Sequence, residues 1–260
     1  MVEILVCLKF VPDTTAIVRP RPDGKTIETA GLKFSISPYD EFALEEALLA
    51  RDALRSGKIT AITVGPPRNE EGLRTALAMG ADAAVFVKDP LLEQAGTVYE
   101  ADILARVIKN LKFDIIMMGK QAIDDDSAQV PHYLAEHLNL PCVSMVRKVE
   151  IAPDLKSTKV TRQIEGGEEV HQSTLPLIVA VGKTEHMPRL PTLPNIMKAK
   201  TKPITVMTLQ QLGASPPPPS KIMSLTPPPA RKNVKLADGD TPEAKVDNLV
   251  KLLREEAKLF

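Results

Sequence analysis

The chain has 260 residues, 43% of them apolar, and 33 Lys plus Arg balance 33 Asp plus Glu for a formal charge of +0 at pH 7. Length and apolar content suffice for one large core with appendages, and the balanced charge excludes a global field that would draw the chain to nucleic acid or an anionic membrane. Aromatics are only 3% with no Trp, which argues against stacking platforms for single strands, and no apolar run approaches the ~20 residues that span a bilayer.

The first residues, Met1-Val2-Glu3-Ile4-Leu5-Val6-Cys7, have neither a basic n-region nor a cleavage site and read as a strand. A bacterial cytoplasm is the expected location, with the mitochondrial matrix as the alternative. Cys7 and Cys142 lie in apolar strand-like contexts without metal-ligand spacing, as core thiols of a reducing compartment do. From Glu3 to about Val146, β-branched runs alternate with helical periods, the grammar of a parallel sheet covered by helices. Strands are expected at 4–11, 59–64, 84–87, 114–118 and 143–146. Asp23-Gly24 signals a hairpin turn after the first of them. Ser37-Pro38-Tyr39-Asp40 opens a helix whose stripe of Ala43, Leu44, Ala47, Leu48, Ala50, Ala53 and Leu54 runs to an expected cap at Gly57. A second helix over 70–79 stops at Gly80, a third lies near 99–111, and a fourth covers 127–138.

Beyond Val146 the pattern predicts antiparallel hairpins at 147–152, 159–164, 168–173 and 177–181, forming an added β-ribbon. Residues 182–203 contain Pro188, Pro191, Pro194 and Pro203 and read as a long functional loop. Proline runs at 215–220 and 227–229 form an extended arm, and 241–259 a capped amphipathic helix with Val246, Leu249, Val250, Leu252 and Leu253 on its apolar face. Such an arm is built to dock on a partner.

The stretch Met118-Gly119-Lys120-Gln121-Ala122-Ile123-Asp124-Asp125-Asp126-Ser127-Ala128-Gln129 puts three adjacent acids between a strand end and a helix start. Three readings are open. Asp126 can cap the helix, for ~0.5 to 2 kcal/mol, but that explains one acid. Carboxylates in an Asp-x-Asp pattern can hold Mg²⁺, although no phosphate-binding Gly-rich loop or His/Glu cluster completes such a site. Alternatively, backbone N–H groups along Gly119 to Ser127 hold a phosphate while a carboxylate accepts from ribose hydroxyls or an adenine amino group. Residues 7–13, 37–40 and 64–67 belong to the same sheet edge, where Lys9 is placed to neutralise a phosphate. His132, His137, His171 and His186 share no ligand spacing and read as structural or surface residues, and no nucleophile elbow or triad pattern is present.

With these motifs in view, the chain resembles the electron-transfer flavoprotein β subunit. The likeness rests on Gly119-Lys120-Gln121-Ala122-Ile123-Asp124-Asp125-Asp126, Arg74-Thr75-Ala76-Leu77-Ala78-Met79-Gly80-Ala81-Asp82 and Leu193-Pro194-Asn195-Ile196-Met197-Lys198-Ala199-Lys200, and runs over residues 2–231. It implies a heterodimer in which an α subunit holds most contacts to a redox FAD, while the β subunit binds AMP, or a second FAD in electron-bifurcating, NADH-oxidising members. It implies an AMP site at Cys7, Ser37, Pro38, Tyr39, Asp40, Val64, Gly119, Lys120, Gln121, Ala122, Ile123, Asp124, Asp125, Asp126, Ser127, Ala128, Gln129 and Val130. It also implies a recognition loop of Thr192, Leu193, Pro194, Asn195, Ile196, Met197 and Lys198, with Leu193 as the anchor entering acyl-CoA or related dehydrogenases of fatty acid oxidation.

The run Asp126-Ser127-Ala128-Gln129-Val130-Pro131 resembles bifurcating members, yet those tend to have Gly where this chain has Asp125. An Asp side chain adds bulk and charge beside a flavin diphosphate, which favours AMP. Thr14 and Thr201 also depart from the mitochondrial pattern, so flavin contact and lysine modification there are not carried over. The expectation is a doubly wound, mostly parallel, Rossmann-like α/β domain with its ribbon (1–182), a recognition segment (183–203) and an α-subunit-docking arm (204–260). Its expected role is electron carriage to a downstream quinone reductase, with no substrate transformed by this chain.

Overall fold

Apolar runs such as Ile115-Ile116-Met117-Met118 have no polar face to offer water, so they become strands of a sheet covered on both sides. The computed structural model describes residues 1–218, 222–227, 229 and 234–260, with the backbone alone at Gln94. Among these, the chain order begins β1 (Val2–Cys7), β2 (Phe10–Pro12), β3 (Phe34–Ile36), α1 (Pro38–Leu54), β4 (Gly57–Gly65), α2 (Glu70–Met79), β5 (Ala83–Lys88), α3 (Thr97–Ile108), β6 (Ile115–Gly119) and α4 (Val130–Leu138). It continues with β7 (Cys142–Ile151), β8 (Ser157–Ile164), β9 (Gly167–Thr174), β10 (Leu177–Val181), α5 (Leu193–Thr201), β11 (Ile204–Met207) and α6 (Pro242–Glu255).

The main sheet has nine strands in the order β11-β5-β4-β1-β6-β10-β7-β8-β9. Pairing is parallel from β11 to β7 and antiparallel across β7-β8-β9. Alternate residues of β1 enter opposite cores: Ile4 and Val6 pack with α1 and α2, Leu5 and Cys7 with α3 and α4. The chain leaves β1 toward β4 and β5 on one side and returns as β6 on the other. Cys7 pairs with Ile62 of β4 and Met118 of β6, so the carboxyl ends of three strands meet at this reversal.

Several expectations are corrected. Leu177–Val181 is no ribbon hairpin: it is a fully buried strand, parallel to both β6 and β7. Its five apolar residues do not alternate with polar ones, the mark of burial on both faces. β7 serves both regions, pairing with β10 from Cys142 and with β8 from Val146, across a shift where Met145 takes φ 61°. The first strand splits, because the chain turns away after Cys7 and Phe10–Pro12 pairs with Phe34–Ile36. α1 ends in a left-handed Arg55, and Gly57 starts β4 instead of capping the helix, in close approach to Val2. α2 does stop at Gly80, φ 135°. The expected turn at Asp23-Gly24 carries one antiparallel bridge, Pro20 to Ile27. Ile204–Met207, expected in the arm, adds a parallel strand beside β5.

Residues 1–223 form one compact unit and 224–260 another. Within the second, the Thr241 side chain accepts from the Ala244 N–H at 3.2 Å to cap α6, and Lys235 pairs with Glu256 at 2.6 Å. No residue of α6 is buried, and Val246 and Leu249 stand in water. Of the proline-rich arm, Pro219, Ser220 and Pro228 lie outside the described residues, as does Arg231 at the end of the likeness.

Candidate nucleotide cleft and docking segment

A cleft open to solvent lies over the carboxyl ends of β1, β4 and β6. Twelve of the expected residues line it: Cys7, Lys9, Asp40, Val64, Gly119, Gln121, Ala122, Asp125, Ser127, Ala128, Gln129 and Val130. Ser37, Pro38, Tyr39, Lys120, Ile123, Asp124 and Asp126 are not on its wall. Leu8, Glu100, Leu104, Met118 and Pro131 are, and sequence reasoning missed them. Glu100 and Leu104 stand four apart on α3, one turn of a helix; their spacing was legible, but not which cleft that face would meet.

Asp40 holds the cleft floor together. α1 starts beside the ends of β1 and β6, and its third residue turns a buried carboxylate to both: Oδ2 accepts from the Lys9 N–H at 2.8 Å and Oδ1 from the Gly119 N–H at 2.7 Å. Burial pushes the Asp40 carboxyl up to about 7, against the two N–H donors and Lys9, which favour its ionised form. Gly119 is required here by space, since a Cβ would sit 2.6 Å from Asp40 Oδ1 and 2.8 Å from the Tyr39 Cβ. Burial, with Asp40 adding to it, pushes the Cys7 thiol far up, so Cys7 is an inert wall residue.

Lys9 Nζ lies 2.9 Å from Asp124 Oδ2 and 3.1 Å from Asp125 Oδ2. Burial works against the charge on Lys9, but Glu100, Asp124 and Asp125 together hold its ammonium above the ordinary range. Burial also raises Asp125, yet the Ser127 N–H and Lys9 prevail and keep its carboxyl below the usual value. The Asp126 side chain accepts from Gln121 Nε2 at 2.7 Å, and Asp126 and Ala128 take φ of 49° and 53°. Asp126 is therefore not the helix cap: α4 begins later, at Val130, behind Gln129, whose side chain makes no cap bond. Gln129 instead accepts from Thr97 Oγ1 at 2.8 Å, tying the loop to α3. The amino end of α4 thus opens on the cleft without a side-chain cap, but Pro131 has no N–H and the His132 and Tyr133 N–H groups both donate to the Gln129 carbonyl at 3.1 Å, which leaves the Val130 N–H for an anion. Lys120 lies over the Tyr39 ring at 4.9 Å, and Ser37 is fully buried at the N-cap position of α1, its side chain making no cap bond. Among the described residues, no group of three or more His, Cys, Asp or Glu is placed to hold a metal ion.

Residues 192–201, expected as a loop, form a capped helix. Thr192 accepts from the Asn195 N–H at 3.4 Å, Pro194 fits the first turn, and good helix formers follow. α5 lies on α2 through buried Ala199, and Arg74 replaces a C-terminal cap by donating to the carbonyls of Ala199 (2.9 Å) and Lys202 (2.5 Å). Ahead of α5, Arg189 clasps buried Glu45 of α1, with Nε 2.9 Å from Oε2 and Nη2 2.9 Å from Oε1. Between these anchors Leu193 is 72% exposed and Leu190 87%, with Met187, Ile196 and Met197 beside them in sequence and also in water. An apolar group held outward by charged anchors is suited to docking.

A parallel sheet whose order reverses at β1, with helices on both faces and a cleft at the reversal, defines a doubly wound α/β protein. Residues 24–212 match the family model described as the electron transfer flavoprotein domain. The chain is 35% identical over 259 residues to the mitochondrial electron transfer flavoprotein subunit beta of Arabidopsis thaliana, covering 98% of each chain. It is 38% identical over 238 residues to the subunit beta of Bacillus subtilis, covering 90% of this chain and 91% of that one. With the human subunit beta it shares 36% over 231 residues, covering 88% and 90%. The chain belongs to the electron transfer flavoprotein β-subunit family, a family of electron-transfer proteins that implies an α-subunit partner. Among the described residues, no helix is long and apolar enough to cross a membrane.

Proposed function

We propose that this chain is the β subunit of a heterodimeric electron carrier, holding AMP as a structural ligand while an α subunit holds most of the redox FAD. The cleft at the strand-order reversal, walled in part by Gly119, Gln121, Ala122, Asp125 and residues 127–130, carries this reading. Its residues fit a nucleoside monophosphate: Leu8, Val64, Leu104 and Met118 suit a base, carboxylates suit hydroxyl and amino donors, and the Val130 N–H at the start of α4 suits a phosphate oxygen. Asp125 favours AMP over a second FAD, because its carboxylate, fixed by Lys9 and Ser127, adds volume and negative charge where a diphosphate would pass.

The flavin supplies the capacity to accept and release electrons; this chain supplies nucleotide retention and partner recognition. Leu193 enters an apolar pocket on acyl-CoA or related dehydrogenases, and electrons pass on to a quinone reductase, in a bacterial cytoplasm or a mitochondrial matrix. The test is to co-express the chain with its α partner, denature the complex and quantify the released cofactors by chromatography with mass detection. One FAD and one AMP per heterodimer are expected; two FAD and no AMP would identify a bifurcating, NADH-oxidising form instead. Leu193→Ala is expected to slow electron transfer from the dehydrogenase about tenfold, the scale of one buried Leu side chain, with cofactor content unchanged. Unchanged transfer kinetics would remove Leu193 as the anchor.

A further inference from the structure

The charges around Lys9 bear on how a nucleotide lies in the cleft. Lys9 Nζ already serves Asp124 at 2.9 Å and Asp125 at 3.1 Å, and Glu100 reaches it electrostatically from α3. One cation faces three carboxylates, so this corner is net negative and repels a phosphate. Lys9 is not a free phosphate anchor.

Glu100 differs from the other two acids. Asp124 and Asp125 are ion-paired, whereas the half-buried Glu100 side chain lines the cleft and makes no hydrogen bond or close ion pair among the described residues. Burial holds its carboxyl above the ordinary range; Lys9 opposes this, and Asp124 and Asp125 add to it. An acceptor in this position gains from any donor that a ligand brings. Apolar Leu8, Leu104 and Val64 share the wall, which is the chemistry of a base and its sugar.

We propose that Glu100 is a specificity residue of the cleft, accepting a hydrogen bond from the nucleoside part of a bound adenine nucleotide while the phosphate lies at the start of α4. The donor is a ribose hydroxyl or the exocyclic amine. This assignment rests on the reading of the cleft as an AMP site. It adds a ligand contact from α3, outside the strand-end loops.

The test uses the heterodimer freed of resident nucleotide and titrated calorimetrically with AMP, adenosine, 2′-deoxy-AMP and inosine monophosphate. Glu100→Ala is expected to weaken AMP and adenosine equally, by about tenfold, and Glu100→Gln by less, since a neutral acceptor remains. Either the deoxy or the inosine analogue should bind the unmodified protein about tenfold more weakly than AMP and lose that handicap in Glu100→Ala, which identifies the donor. AMP binding unchanged or tightened in both variants would overturn the proposal, tightening meaning that Glu100 faces the phosphate. If Glu100→Ala fails to fold, the isosteric Glu100→Gln and the analogue series on the unmodified protein decide: equal affinity for all three nucleotides overturns the assignment. Absence of AMP binding to the unmodified heterodimer would instead defeat the AMP reading itself.

Discussion

On the function proposed above, the cleft and the exposed segment along α5 solve opposite recognition problems with the same residue types. In the cleft, charge faces inward and is largely satisfied by the chain: Asp40 takes two backbone N–H groups, and Lys9 takes two carboxylates. In the segment ahead of and along α5, charge works from behind, with Arg189 and Arg74 gripping the core while Leu190 and Leu193 face water. A small ligand is recognised by groups a pocket encloses; a protein partner is met by groups the fold has pushed out. In both, charge-assisted bonds set position and apolar surface provides contact.

The sharpest way to break this contrast is Arg189→Ala, which leaves Glu45 buried without its guanidinium. A loss of about 3 kcal/mol in denaturant unfolding is expected, with faster amide exchange over 186–192 and unchanged nucleotide content. Exchange unaltered over that segment would mean that Arg189 does not anchor it. Gly119→Ala strikes the cleft instead. With a Cβ 2.6 Å from Asp40 Oδ1, we expect about 2 kcal/mol of destabilisation, together with loss of nucleotide from the purified complex. Normal retention would show that α1 can withdraw from the strand end without harm.

Asp40 sharpens the comparison through pH. Its carboxyl is raised from 3.8 to about 7 by burial, so the folded state takes up a proton before the unfolded state does as pH falls. Its contribution is complete below 3.8 and is lost as pH rises through about 7. Between pH 8 and pH 6 the unmodified protein should therefore gain about 1 kcal/mol relative to Asp40→Asn, read from unfolding curves at both pH values. Parallel pH profiles would contradict this. The smallest effect belongs to Leu193→Ala, whose side chain is already in water: unfolding free energy within about 0.5 kcal/mol of the parent is expected even as docking weakens.

Much of this was legible in the chain because it is local. Periodic runs and punctuating residues determined β4, α2, β5 and β6, and Gly80 marked the end of α2, since each depends on neighbours a few residues away. Gly119 and the acids after it mark, for the same reason, the sheet edge at which the cleft opens. Even where a reading failed, a signal was sometimes present: unbroken Leu177-Ile178-Val179-Ala180-Val181 announced burial on both faces, and Thr192 with Pro194 announced a helix start.

What only the tertiary structure decided is which distant groups meet. That β10 inserts between β6 and β7, that Asp40 bridges Lys9 and Gly119 across 31 and 79 residues of sequence, and that Glu100 brings α3 into the cleft are all long-range choices. Hydrophobic period specifies that a strand or helix will be buried and on which face, but it carries no address for the partner. Strand order and packing supply that address, and with it the difference between an acid paired within the chain, such as Asp125, and one without a partner among the described residues, such as Glu100.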